Sequence, residues 1–143
     1  MSHKIVTFGE IMLRLAPYDY LRLAQADNYQ ATFGGGEANV AVSLAMFGND
    51  VQYVTKLPAN PVADAALASV HKYGVKTDYV ARGGERMGIY FLEHGASVRP
   101  SKVTYDRAHT AISEVTLKDF DWSSIFAGKA WFHTTGITPA LSP

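Results

Sequence analysis

The chain has 143 residues, 48% of them hydrophobic and 18% charged, which are the proportions of a globular domain with a core and exclude a disordered segment. Thirteen Lys and Arg balance thirteen Asp and Glu, so no basic footprint for nucleic acid stands out. Cysteine is absent, which excludes disulfides and thiolate chemistry, and no window approaches the roughly 18 apolar residues of a membrane span.

The opening MSHKIVTFGE carries no signal-peptide pattern, so the cytoplasm is the expected location, with no membrane partner. Ile5 to Phe8 is a short β-forming run closed by Gly9 and Glu10, and IMLRLAP, residues 11 to 17, reads as a further strand ended by Pro17. Within it Ile11, Leu13 and Leu15 alternate with Met12 and Arg14. A polar segment with Tyr18, Tyr20 and Tyr29 leads to Thr32 and Phe33, and then three glycines follow. Behind them a helix pattern places Val40, Leu44 and Phe47 on one stripe with Ala41 and Ala45 beside it, and Gly48 with Asn49 supplies a stop.

Val51 to Val54 is the next strand. Pro61 opens a second helix, with Val62, Ala66, Leu67 and Val70 at helical spacing, and Gly74 ends it. MGIYFLEHG (87 to 95) and SVRPSKVTYDR (97 to 107) are two strand-like runs joined through Gly95, a hairpin pattern. Lys129 to His133 reads as a last strand running into TTGITPALSP, and Trp122 and Trp131 are expected to pack in the core.

Helices alternating with strands predict an α/β fold built on a mainly parallel sheet, with the segments about 11 to 33 and 87 to 107 as an antiparallel appendage. Ser142 followed by Pro143 is a helix N-cap followed by the favoured first helical residue, so the sequence is expected to continue.

Gly34, Gly35 and Gly36 make the doorstep of the first helix. Its opening N–H groups have no partner within the helix and carry partial positive charge, so a polar or anionic ligand can dock where no Cβ intrudes. A flexible turn with close helix packing explains the same residues. The run is neither a P-loop, since no Gly-Lys-Ser/Thr follows, nor a dinucleotide fingerprint, since the G-x-G-x-x-G spacing is missing. Tyr105 and Arg107, two apart on a strand, share a face that Tyr90 joins from the partner strand. A guanidinium fork beside phenol hydroxyls suits a small molecule with a carboxylate and hydroxyls, although an ordinary solvated hairpin uses the same cross-strand pairs. The five histidines show no metal spacing, so no metal site is expected. Glu10 at a strand end either binds a ligand or is solvated, and Asp64 in the second helix's first turn is explained by the helix dipole.

The stretches TFGEIMLRL, GGGEANVAVSLAMFG, MGIYFLEHG, RPSKVTYDRAHTAIS and TTGITPALSP resemble the ribokinase-like (PfkB) carbohydrate kinases, in the family's order and over nearly the whole chain. The double glycine followed by Asn-Val-Ala carries the family resemblance, and the Tyr-Asp-Arg run points to its keto-deoxy-sugar-acid branch. The resemblance implies that residues 1 to 143 are the N-terminal part of one ribokinase-like domain, with the 11 to 33 and 87 to 107 segments as a β lid over the sugar. Gly34, Gly35, Gly36, Glu37, Ala38 and Asn39 would line the sugar, Tyr90 would reach it from the lid, and Tyr105 with Arg107 would hold its carboxylate. It further implies ATP with Mg²⁺ as phosphoryl donor, a nucleotide site in a C-terminal half, and a homo-oligomer formed through the lid. The expected reaction is phosphorylation of a sugar acid such as 2-keto-3-deoxygluconate; a fructokinase-like specificity or a non-catalytic sugar-binding or dimerisation fragment are the alternatives. No counterpart of the family's catalytic Gly-Ala-Gly-Asp-like motif occurs in these residues, so no catalytic residue is assigned, and ANPVADAA has Ala63 where relatives often have glycine.

Overall fold

The computed structural model describes residues 3–141. The chain runs β1 (Lys4–Phe8), β2 (Met12–Pro17), β3 (Tyr29–Gly34), α1 (Gly36–Met46), β4 (Asp50–Val54), β5 (Lys56–Leu57), α2 (Pro61–His71), β6 (Ala81–Arg82), β7 (Ile89–Glu93), β8 (Lys102–Asp106), α3 (Trp122–Phe126) and β9 (Trp131–His133). The expected helix start at Ser142 and Pro143 lies outside the described residues.

Strands β4, β1 and β9 form a parallel sheet in that order, with Ile5 opposite both Val51 and Trp131. Side chains alternate across a strand, so β1 and β4 each serve two layers. Ile5, Val51 and Tyr53 face Ala38 and Ala41 of α1 and Ala63, Ala66 and Val70 of α2. Val6 and Val54 face the opposite way, onto Phe120 and Ile125. The helices bury alanines against the sheet, which lets their backbones approach closely. Helix α2 starts where Pro61 predicts, and the Asn60 side chain caps it by accepting from Ala63 N–H at 2.9 Å.

Three core expectations are corrected. Phe47 is 82% exposed because α1 ends at Met46 and turns its Ala38 and Ala41 face inward. Val62 is likewise exposed, since α2 buries Ala63, one position further round the helix. Trp131 is 67% exposed because β9 is the edge strand of the sheet among the described residues. Trp122 does pack as expected, against Phe8 and Phe120 at ring-centroid distances of 5.5 and 5.0 Å. Asp64, assigned to the helix dipole alone, also pairs with Arg82.

The two interrupting segments meet in a second sheet of order β3-β2-β7-β8. The β2–β3 and β7–β8 ladders are antiparallel as expected, but the central β2–β7 ladder is parallel, with Arg14 opposite Tyr90 and Leu15 opposite Phe91. Two hairpin-like units therefore join edge to edge. Met12, Arg14, Tyr90 and Tyr105 lie on one face, and Leu13, Leu15, Phe33 and Phe91 on the other. Ile11, read from sequence as part of the second of these faces, precedes β2 and is buried in the main core, where Leu13 and Phe33 also pack. No helix among the described residues is long and apolar enough to cross a membrane.

Tyr53 is fully buried, and its hydroxyl donates to the Gly9 carbonyl at 2.7 Å. That bond ties β4 to the turn leading from β1 to β2. Tyr53→Phe leaves a buried carbonyl without its donor and is expected to lower stability by about 1–3 kcal/mol. A fall in the urea midpoint at unchanged slope is the expected readout, and an unaltered midpoint would show that the bond contributes nothing.

Candidate functional site

Ligands of open α/β sheets gather beyond the carboxyl ends of the strands, and there the chain brings its polar groups together. Just past the end of β1, the Glu10 backbone N–H donates to Thr138 Oγ1 at 3.3 Å. Helix α1 begins beside it with Gly35 as N-cap, a residue with no side chain to satisfy the first helical N–H groups. The β7–β8 ladder sets Tyr90 opposite Tyr105, their rings 6.0 Å apart, and carries the chain on to Arg107. Together these elements enclose a recess of about 230 Å³.

The recess is floored by two buried carboxylates. Glu37, in the first turn of α1, accepts at Oε1 from the Thr135 N–H (3.1 Å), the Thr135 hydroxyl (2.7 Å) and the Thr138 hydroxyl (3.1 Å). Glu10, 3% exposed, pairs through Oε2 with Arg107 Nη2. Burial pushes the Glu10 carboxyl above its ordinary range, the charge and hydrogen bond of Arg107 oppose the rise, and the neighbouring Glu37 charge adds to it. The Arg107 guanidinium lies 5.3 Å from the centre of the Tyr105 ring. Arg86 steadies the end of β8 by donating to the Asp106 carboxylate at 2.8 Å and the Asp106 carbonyl at 3.0 Å.

Of the residues singled out from sequence, Gly34, Gly35, Gly36, Glu37, Asn39, Tyr90, Tyr105 and Arg107 all line this recess. Ala38 does not: it points into the core and toward a separate recess of about 650 Å³ between α1, α2 and β3, whose walls include Ile11, Phe33, Val42, Met46 and Lys72. Glu10, left open between ligand binding and solvation, is buried and ion-paired. Met12, Val103, Ile137 and Thr138 complete the wall and were not singled out. Thr138 had a signal, since Thr135 and Thr138 stand three apart in the TTGITPALSP run. No group of three or more His, Cys, Asp or Glu that could hold a metal ion occurs among the described residues.

Residues 2–143 match the model of the pfkB family carbohydrate kinases. The chain belongs to that family. A 2-dehydro-3-deoxygalactonokinase of Haloferax volcanii is 34% identical over 142 residues, 99% of this chain and 44% of the relative. Among solved structures, a 2-dehydro-3-deoxygluconokinase from Thermotoga maritima superposes with a TM-score of 0.96 at 62% identity, covering 99% of this chain and 43% of that one. A putative 2-keto-3-deoxygluconate kinase from Enterococcus faecalis gives 0.94 at 36%, with 99% and 42% covered. The chain thus spans less than half the length of these relatives. The ribokinase-like fold expected from the motifs is the fold of these pfkB neighbours.

The glycine doorstep of this pfkB chain serves two purposes at adjacent positions. A Cβ on Gly35 would overlap the Glu10 carbonyl, whereas one on Gly36 would meet only Thr135 Cγ2 at 3.7 Å, an ordinary contact. Gly35→Ala is therefore expected to cost about 1–3 kcal/mol by forcing the β1–β2 turn off the helix entry. Gly36→Ala should leave stability within about 0.5 kcal/mol, the range of substitutions that disturb no packing. Denaturation midpoints of the two variants test this, and equal losses would contradict it.

Proposed function

We propose that the complete protein transfers the γ-phosphoryl group of ATP to a hydroxyl of a 2-keto-3-deoxy sugar acid, with 2-keto-3-deoxygluconate giving its 6-phosphate as the first candidate. This chain supplies the acceptor site. The observation that carries the reading is the convergence of one guanidinium and two phenols, Arg107 with Tyr90 and Tyr105, over an uncapped helix entry. The names of the Haloferax volcanii, Thermotoga maritima and Enterococcus faecalis relatives, each that of a keto-deoxy-sugar-acid kinase, support it.

In this reading the Gly34 to Asn39 segment presents its backbone to the sugar hydroxyls, with the Asn39 amide as a side-chain partner. Glu37 and Ala38 act from behind, fixing the helix entry to the Thr135 to Thr138 segment and to the core. Tyr90 bonds a hydroxyl from the second sheet, which serves as a lid, and Tyr105 with Arg107 fixes the carboxylate end. Arg107 suits that task because its fork can hold both carboxylate oxygens. ATP with Mg²⁺ supplies the phosphoryl group and charge neutralisation, and is held by the remainder of the protein. The face bearing Leu15 and Phe91 points away from the sugar, and there the reading places a lid-to-lid contact with a second copy.

Two outcomes test these assignments in the full-length protein. Arg107→Ala should raise KM for 2-keto-3-deoxygluconate about 30- to 1000-fold, the equivalent of roughly 2–4 kcal/mol for a lost charge partner, and raise that for fructose far less, by the loosened position of Tyr90 alone. Equal losses for both sugars would refute the carboxylate role. Replacing Leu15 and Phe91 together by Lys should turn an oligomer into a monomer in light scattering, and an unaltered oligomer would remove the lid contact.

A further inference from the structure

Arg107 is already neutralised before any ligand arrives. Its side chain is 21% exposed and pairs with a Glu10 carboxylate that is 4% exposed, so the ion pair lies on the recess floor rather than in bulk water. Glu10 Oε1 and Arg107 Nε find no hydrogen-bond partner among the described residues. The groups facing Glu10 are few: Arg107 beyond β8, Glu37 from α1, Tyr53 from β4, and Tyr90 and Tyr105 from the second sheet. Tyr53 is committed to the Gly9 carbonyl, and burial holds its hydroxyl protonated. Among the described residues Arg107 is therefore the one cation lining the recess, facing two carboxylates.

A sugar acid that engages Arg107 brings a third carboxylate to this single guanidinium. Three anions around one cation in a partly dehydrated space is a charge arrangement that a protein relieves by protonating its most buried acid. Glu37 already accepts three hydrogen bonds at its Oε1, and a ligand on Arg107 leaves them in place. The Glu10 carboxylate has Arg107 as its one side-chain partner among the described residues and loses it to the substrate.

We propose that Glu10 is the resting counter-ion of Arg107 and takes up one proton from solvent when a substrate carboxylate displaces it. The proposal rests on the sugar-acid reading above. One proton adds to one Glu10 oxygen, no other bond changes, and the charge on the recess floor is the same before and after binding. The direction of the Glu10 shift agrees with this, since burial already raises its carboxyl while Arg107 is the group that opposes the rise. The linkage has a definite sign. With the Glu10 pKa higher in the complex than in the empty site, binding of the acid strengthens as pH falls from the upper value toward the lower. A neutral sugar leaves the Glu10–Arg107 pair intact and takes up no proton. Glu10 is in this sense a positioning residue, acting on the substrate through Arg107.

Calorimetric titration of the full-length protein with 2-keto-3-deoxygluconate, in buffers of different ionisation enthalpy between about pH 5 and 8, reads the proton count directly. Expected is uptake approaching one proton per acid bound at some pH in this range, with affinity rising toward tenfold per pH unit on acidification. Fructose should show no uptake. Glu10→Gln, which mimics the protonated carboxyl, should bind the acid with near-zero uptake and a flat pH profile. Arg107-dependent binding of the acid by the unaltered protein without proton uptake anywhere in the range overturns the coupling and leaves the sugar-acid reading standing. Undiminished uptake in folded Glu10→Gln also overturns it. If Arg107→Ala binds the acid as tightly as the parent, the reading and the coupling fall together. The measurement on the unaltered protein needs no substitution, so misfolding of a variant does not blunt the test.

Discussion

The ion pair between Glu10 and Arg107 joins two sheets that have no common strand. Its partners are 97 residues apart, one in the turn leaving the parallel sheet and the other just past the last strand of the second sheet. A carboxylate as buried as Glu10 is stable only with a partner, because the desolvation cost of a bare buried charge is several kcal/mol. The pair thus adds an electrostatic tie to the apolar packing of Leu13 and Phe33 against the main core, and the recess lies beside that tie. Such pairs are poor evidence for net stability. What the pair provides is position, since it places Tyr105 and Tyr90 above the α1 entry.

The glycines are the steric side of the same arrangement. Gly9 would collide with the Glu37 side chain if it carried a Cβ, and Gly35 with the Glu10 carbonyl. Each bare backbone lets a carboxylate-bearing segment pass close by, so the two acids reach the floor of the recess. The relay from the Glu10 N–H to Thr138 and from Thr138 to Glu37 then connects the acids without a charge between them. Of the three glycines at the doorstep, Gly34 alone faces outward to the Tyr90 hydroxyl, at 3.4 Å from a built Cβ. The close packing offered as one account of the doorstep is thus present at Gly35, while Gly34, one residue earlier, borders the recess.

What the sequence made legible follows from the range of the forces involved. Strand alternation, the Pro61 start of α2 and the β7–β8 hairpin are set by neighbours a few residues away, and their outlines were readable. The pairing of Tyr90 with Tyr105, and the shared side with Arg107, followed from the period of two. Glu10 and Glu37 were not readable as buried, because charge predicts exposure and their partners lie about a hundred residues away. The parallel β2–β7 ladder has the same origin, since hairpin patterns say nothing about which hairpins meet. Trp131 failed in the opposite direction: a residue type that favours burial stands on a strand whose far edge is unpaired among the described residues.

On the proposed reading, the buried pair also bears on how an acid is told from a neutral sugar. An isolated Arg107 in the recess would be a cation without a partner whenever a neutral sugar entered, and its dehydration would oppose that binding strongly. With Glu10 in place, the neutral sugar meets a recess that is already compensated, so discrimination cannot come from punishing the wrong ligand. It must come from a better geometry offered to the right one. Glu10 reaches Arg107 through a single oxygen and leaves Arg107 Nε without a partner among the described residues. A substrate carboxylate approaching from the open side can meet the guanidinium edge with both oxygens, and a paired fork is stronger and more directional than a single contact. The selectivity of such a site is then the difference between two carboxylates competing for one guanidinium, set by the tether that holds Glu10 in the β1–β2 turn and by the rotational freedom of the substrate. A tethered competitor has a fixed position and therefore a fixed affinity, so the threshold a ligand must exceed is written into the backbone at Gly9 and Gly35.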